Sequence, residues 1–473
     1  MRSKWGVFLL LCCLWWWAPG AKAYVLGDLQ GKTDFREEIR VEAWSTFDRG
    51  SGDDSYTFGS SKMRLGFGFS GHLVEAYTQL HWTQFVGLPT KAVFGTGPLY
   101  YGQNNGAQNP GYAAIAQAWL RIKCPRVKGA SIRLGRFVYN SGLEVLPGDP
   151  TLRWLTQKRI SQRLIGGFEW SRVGRSFDGF QVVWDQHLWN ITLTAVHPTA
   201  GGFYLRRDDP TLGGFSLHDV SILSMATTLK DTYVPGLEAQ LFYYYYNDNR
   251  HLGADPEVHT FGGHVLYTRA LGPGRVDLLF WGAYQSGVYA GLDHSAYGLA
   301  LEGGYKLAEV AGQPWLRVGM WYGSGDDDPT DQDHNTFFMM IPTLRIYALT
   351  PWYNLMNTTY YFAQLILKPH TKVTLRSDLT RLYLTEKNDA WYLGSGITRP
   401  DSFGYSSKPS GNADDLGTMW DLSLFLKDLY RFRGLQGGLN LYYSHVWGGD
   451  VVANSFPQDD SMDFFYAEAI ITF

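Results

Sequence analysis

Cysteine is nearly missing from this chain. Of 473 residues only Cys12, Cys13 and Cys124 are cysteine. The first two lie in the N-terminal apolar run, so a chain cleaved behind that run keeps one thiol. It then has no intramolecular disulfide, and a disulfide-stapled secreted scaffold is excluded. Long apolar runs are also lacking. Beyond residue 23 no segment approaches the roughly 20 apolar residues that a membrane-crossing helix needs. There is no Pro/Ser tract, charge block or heptad pattern, so no linker divides the chain. Chemistry-bearing motifs are missing as well. There is no Gly-x-Ser-x-Gly elbow, phosphate loop, dinucleotide fingerprint or Cys/His metal set, and His81, His187, His197, His294 and His445 are scattered. No enzyme is expected. The formal net charge of −3 calls for no nucleic acid partner.

What is present begins with the N-terminus. Arg2 and Lys4 precede an apolar run from Trp5 to Ala18, Pro19 and Gly20 break it, and Ala21-Lys22-Ala23 follows. This is the layout of a secretory signal peptide cleaved after Ala23, leaving residues 24–473 as one exported domain. That domain is rich in glycine (54) and in Tyr, Phe and Trp (30, 27 and 18), yet its mean hydropathy is only −0.20. Exported, aromatic, glycine-rich and polar on average is the composition of a transmembrane β-barrel, whose strands alternate a lipid face with a lumen face.

The alternation is legible. Met63, Leu65, Phe67 and Phe69 fall on one face, with Arg64, Gly66 and Gly68 on the other. Leu237, Ala239, Leu241, Tyr243 and Tyr245 oppose Glu238, Gln240, Phe242, Tyr244 and Tyr246. Similar segments recur along the chain, one of them over 159–171, for a raw total of about nineteen. The connections alternate between tight joints and long polar loops near 85–112, 138–158, 198–216, 323–358 and 386–416. The alternation slips phase once between 171 and 217. Single-chain bacterial barrels have even strand numbers, so the expectation is an all-β, single antiparallel transmembrane barrel of about 18 strands, with 20 next. The last segment, Phe464–Phe473, reads as a closing strand paired with the first near 35–44. Its terminal aromatic resembles the signal read by the barrel assembly machinery.

Parity aims Arg40, Arg64, Arg121, Arg133, Arg159, Arg163, Arg317 and Arg376 into the lumen, with acids that include Glu75, Glu169, Asp185, Glu238, Asp277, Glu302, Asp378 and Asp421. Either these charges brace one another across the wall, or the arginines form a strip along which an anion passes between weak sites. Trp119 and Trp321 on the same face offer sugar-stacking rings. In the loop "GDDDPTDQD", Asp326, Asp328, Asp331 and Asp333 crowd hard oxygen ligands together as a candidate calcium site. No cofactor is otherwise required.

Four blocks carry a family resemblance: Arg133–Phe137 (RLGRF), Arg163–Phe180 (RLIGGFEWSRVGRSFDGF), Tyr322–Phe337 and Tyr442–Asp450. In this order they resemble the alginate export family of outer-membrane β-barrels. The resemblance implies an 18-stranded barrel in the outer membrane of a Gram-negative bacterium, with an arginine-rich pore for an anionic polysaccharide. It carries Arg133, Arg136, Arg163, Arg175 and Asp178 over as pore positions. Phe137 departs from the Gln expected there, and parity points Arg136 away from the lumen. The expected function is export of an acidic, alginate-like exopolysaccharide. The alternatives are a diffusion porin for small anions and a plugged structural or adhesive barrel. Expected partners are outer-membrane lipid, the anionic polymer or small anions, the assembly machinery and periplasmic export proteins.

Overall fold

A computed structural model describes residues 25–26, 29–48, 50–341, 346–350, 352–393 and 407–473. The expected signal peptide, residues 1–23, lies outside them. Eighteen antiparallel strands form the wall. The first nine are β1 Leu29–Ser45, β2 Ser55–Ser70, β3 Val74–Val86, β4 Gly111–Lys123, β5 Ala130–Phe137, β6 Phe177–Asp185, β7 Trp189–Pro198, β8 Val220–Val234 and β9 Leu237–Asp248. The second nine are β10 Glu257–Leu271, β11 Gly274–Tyr289, β12 Leu292–Lys306, β13 Trp315–Gly323, β14 Thr358–His370, β15 Val373–Leu384, β16 Asp415–Phe432, β17 Leu435–Gly448 and β18 Ser461–Thr472. Each strand pairs with its chain neighbours, and β18 pairs with β1 from Arg36↔Thr472 to Ser45↔Asp463. The sheet is therefore closed, with a partner strand on both sides of every wall strand and no free edge, which is what a hydrocarbon surround demands. At the seam Phe473 donates its N–H to the Phe35 carbonyl (3.1 Å), and the two rings stack at 5.5 Å.

Period-two patterning places the apolar set outward. Leu241 (73% exposed), Phe261, Leu278, Leu316, Val318 and Leu379 face lipid, while their strand neighbours Gln240, Thr260, Asp277, Arg317 and Asp378 are buried inside. The tight turns follow from residues that accept positive φ. Ala290-Gly291 (φ 54° and 79°) and Arg433-Gly434 (φ 49° and 89°) give the mirror-image turns whose twist matches a two-residue hairpin. Short joints such as 71–73, 235–236, 272–273 and 371–372 lie at the end that holds both ends of the wall, the periplasmic end by the rule for such barrels. The long connections 87–110, 138–176, 199–219, 324–357 and 385–414 leave the other end.

The expected strand over 159–171 does not exist, which accounts for the phase slip. Residues 138–176 form one long loop that turns into the barrel. The descending limb carries the short helix α1, Pro150–Leu155, begun by the Asp149 carboxylate, which accepts from the N–H of Thr151 and Leu152. A π-helical turn follows over Thr156–Ile160, and the chain then climbs back to β6. A second long loop, 324–357, also enters the lumen and buries Phe337, Phe338, Met339, Met340 and Ile341 completely. The two loops meet in a parallel bridge, Ile165↔Ile341. There Gly166 N–H donates to the Ile341 carbonyl and Ile341 N–H to the Leu164 carbonyl, both at 2.8 Å. The hydrophobic core thus sits inside the barrel, between wall and inserted loops. At the outer mouth Phe47, Phe94, Trp352, Trp391 and Phe456 pack edge to face into a roof.

Candidate functional site

The lumen holds three groups of charge. The first joins β1, β2 and β18 to the inserted loop 138–176. Arg40 pairs with Glu468 (2.7 Å) and Glu42 (3.5 Å). Arg64 bridges Glu38 (2.7 Å) on the wall and Glu169 (3.0 Å) on the loop. Arg172 of the loop, fully buried, reaches Glu38 (3.2 Å) and Glu468 (3.0 Å) and donates to Ser60 Oγ and the Glu38 carbonyl. Lys62 pairs with Glu38 (3.1 Å) and donates to the Glu169 and Ser171 carbonyls, and Arg207 from 199–219 completes the set on Glu169 (3.0 Å). Burial works against the Glu169 carboxylate, but Arg207, Arg64 and Lys62 together hold it below the usual carboxylate range.

The second group lies on β11–β15. Arg159 grips Glu302 through two nitrogens (2.8 and 2.9 Å). Arg317 spans Glu302 and Asp277 (both 3.0 Å), and Arg376 pairs with Asp378 (2.5 Å) and donates to the Tyr347 carbonyl. Arg163 differs. It donates to Tyr347 Oη (3.0 Å) and to the Arg159 carbonyl (2.6 Å). Its guanidinium stands 5.1 to 5.5 Å from the ring centres of Trp281, Trp321 and Tyr347. It ion-pairs with no carboxylate among the described residues. Beside it a cavity of about 10 Å³ is lined by Ser141, Gln240, His264 and Trp281 among others, room for about one water.

The third group is nearer the periplasmic end. Arg121 and Lys123 share Glu75 (2.9 and 2.6 Å). Arg133 lies over the Phe137 ring (4.0 Å) and near Trp119 (5.7 Å), and donates to Gln181 (2.8 Å). It too has no carboxylate partner among the described residues. Asp185, at the strand end, is held by Lys230 (2.8 Å) and Asn190 (2.8 Å).

Several expectations need correction. Arg136 and Asp178 form a two-pronged pair (both 2.7 Å), but on the outward face. Their strand neighbours Phe137 and Phe177 are the fully buried, inward ones, so parity outweighs the motif and neither residue lines the lumen. Arg159, Arg163 and Glu169 do reach the lumen, though from the inserted loop instead of a wall strand. Arg175 is on the same loop, buried, with its guanidinium 5.8 Å from the Phe168 ring. Trp321 is unavailable for stacking: it is fully buried against Phe337 and donates its indole N–H to the Leu355 carbonyl (3.0 Å). The four loop aspartates are not drawn to a common point. Asp328 caps Thr330, Asp331 accepts from the Asp333 N–H, and Asp326 accepts from the Asp328 N–H. Among the described residues no three Asp, Glu, His or Cys side chains form a metal-holding group. Sequence reasoning missed Lys62, Arg172 and Arg207, which sit on the lumen face or on inserted loops. Parity with Arg64 was the signal for Lys62 on β2; for Arg172 and Arg207 the only signal is a basic residue in a connection too long to be a simple turn.

A closed 18-stranded antiparallel barrel with a lipid-facing apolar belt and a charged lumen is an outer-membrane channel of a Gram-negative bacterium. The sequence model of the alginate export family matches residues 34–465, and the chain belongs to that family. No curated protein is significantly similar in sequence. The fold is shared with solved channels at low identity. OccAB1 of Acinetobacter baumannii superposes with a TM-score of 0.58 at 11% identity, covering 96% of this chain and 98% of that one. The outer membrane protein OpdK of Pseudomonas aeruginosa gives 0.57 at 10% over 93% and 98%. OpdK solved with vanillate gives 0.56 at 9% over the same shares.

Proposed function

We propose that this channel exports an acidic, alginate-like exopolysaccharide. The observation that carries the reading is the imbalance of charge inside the lumen. Most luminal arginines are neutralised by a carboxylate, but among the described residues Arg133 and Arg163 pair with none, and both are set against aromatic rings instead of acids. Both charges are left uncompensated: half-buried Arg133 can meet a passing carboxylate directly, while fully buried Arg163 acts on it through its field, and family membership supports an acidic polysaccharide as the substrate class. In this reading residues 1–23 are the cleaved export signal of a single barrel domain over 24–473, assembled by the barrel assembly machinery and fed by periplasmic export proteins.

Planar-bilayer recording tests the electrostatics: the wild-type channel prefers anions, and Arg133→Gln with Arg163→Gln reduces that preference. A cation-selective wild type, or an unchanged double variant, refutes the basic pore. Export is tested in the producing cell, where deletion of the channel strands acidic polymer in the periplasm. The filled lumen favours a second reading, diffusion of small anions; retained polymer secretion in the deletion strain, with lost uptake of small carboxylates, would select it.

A further inference from the structure

The periplasmic end of the lumen carries four lysines that the arginine-centred reading left out. Lys306 ends β12, four residues from buried Glu302 and therefore on the same inward face. Lys368 stands two residues past buried Ile366 on β14. Lys427 stands four past buried Ser423 on β16. Lys158 comes from the π-helical turn of the inserted loop. Strand pairing brings them together: Lys306 lies opposite Trp315, Trp315 lies opposite Ile366, two residues before Lys368, and the Lys427 N–H donates to the Lys372 carbonyl at the turn that follows Lys368; Lys158 has Arg376 and Lys427 as its charged neighbours.

Among the described residues none of the four lysines ion-pairs with a carboxylate. Most acids at this end are otherwise engaged, while Glu309 stands exposed in the turn 307–314. Asp149 holds Arg275 (2.5 Å), Asp231 accepts from the N–H of Gly148 and Asp149, Asp378 is buried on Arg376, and Asp428 pairs with Arg431 (3.1 Å). Lys158 and Lys427 are exposed, while Lys306 and Lys368 are half-exposed. Folding has thus gathered cations from four separate elements without neutralising them, at a cost in mutual repulsion that a bound anion would relieve.

We propose that these four lysines form the docking site where a polyanionic chain enters from the periplasm. The inference rests on the export reading and adds to it a place and a direction. A single small anion would meet only one or two of the ammonium groups, whereas a chain of carboxylates meets all four. Lysine suits the task, being a hydrated point charge on a flexible stem, so each contact is weak enough to hand the chain on. Because Lys158 belongs to the inserted loop, the docked chain touches wall and loop together.

The test uses the full-length protein in planar bilayers with an oligomer of mannuronic acid as the probe. Channel orientation is scored by the chamber from which biotin-maleimide and streptavidin reach Cys124, which is exposed in the turn 124–129. The oligomer should block from the short-turn side at a concentration at least ~10-fold lower than from the loop side, and about 1 M salt should abolish the difference by screening. Replacing all four lysines by Gln should remove the sidedness, and replacing them by Arg should keep it. The Arg variant should also retain the wild-type anion preference, whereas the Gln variant should weaken it. Equal block from both sides in the wild type, or sidedness surviving in the Gln variant, overturns the docking site alone. A wild type with no anion preference and no block overturns the export reading with it.

Discussion

Arg172 is the position at which the inserted loop is most firmly tied to the wall, and its removal has a calculable consequence. The side chain is fully buried and makes four polar contacts with β1, β2 and β18: Glu38 and Glu468 carboxylates, Ser60 Oγ and the Glu38 carbonyl. Breaking a buried pair by deleting one partner costs about 3–5 kcal/mol, because the other charge is left uncompensated. Here neither acid is stranded. Glu38 keeps Arg64, Lys62 and Arg36, and Glu468 keeps Arg40 (2.7 Å). The cost of Arg172→Met should therefore fall at or below the low end, about 2–3 kcal/mol, or roughly 30- to 150-fold in the ratio of docked to undocked loop. The barrel wall loses no strand pairing, so heat-modifiable folding on gels should be unchanged. Single-channel records should show frequent excursions to a larger conductance, and protease should reach the loop. A quiet channel with a protected loop would refute the claim that this residue anchors it. Loss of the folded barrel would show that loop and wall are not separable.

Two shorter predictions bear on the same lumen. Glu169 is held below the usual carboxylate range. Its contribution to loop docking is therefore fully present above the unfolded value near ~4.3 and is lost as pH falls through its depressed folded value. Channel noise should be flat between pH 8 and 5 and rise only below about 4, and a rise beginning at pH 6 would contradict this assignment. At Gly298 an added Cβ would sit 2.9 Å from the Trp321 ring and 3.0 Å from Phe337 of the second inserted loop. Gly298→Leu should cost ~1–3 kcal/mol by overpacking and raise mean conductance by displacing Phe337, whereas conductance at the wild-type level would mean that the wall yields instead.

The wall was legible because its physics is local. A strand between lipid and lumen must alternate, as Leu241 and Gln240 do, and parity alone placed most luminal charges correctly. The inserted loop was not legible for the same reason. Residues 159–171 alternate passably, yet Arg159, Ile160, Arg163, Leu164 and Ile165 are all buried, because protein surrounds them on every side. Periodicity reports two unlike environments, and an interior loop has one. Partner choice was hidden too. Parity aimed Arg64 inward but did not reveal that one of its two carboxylates, Glu169, arrives from a loop 105 residues away. The lysines at the periplasmic end went unnoticed because a lysine near a strand end is ordinary in sequence, and only closure of the barrel brings four of them together.

That dependence of charge on loop position makes a further prediction. Residues 138–176 carry six basic side chains, Arg153, Lys158, Arg159, Arg163, Arg172 and Arg175, against three acids, Glu144, Asp149 and Glu169. The loop therefore brings a net three positive charges into the lumen. It also supplies counter-ions to wall acids: Arg159 to Glu302, and Arg172 to Glu38 and Glu468. Replacing 141–173 by a short Gly/Ser linker, with β5 and β6 intact, should widen the channel and change its sign together. Conductance should increase while selectivity moves from anions toward cations, since the freed wall carboxylates then dominate the field. An enlarged channel that stays anion-selective would place the positive field in the wall itself, on Arg133 and the strand lysines, and would separate the barrier to flow from the choice of ion.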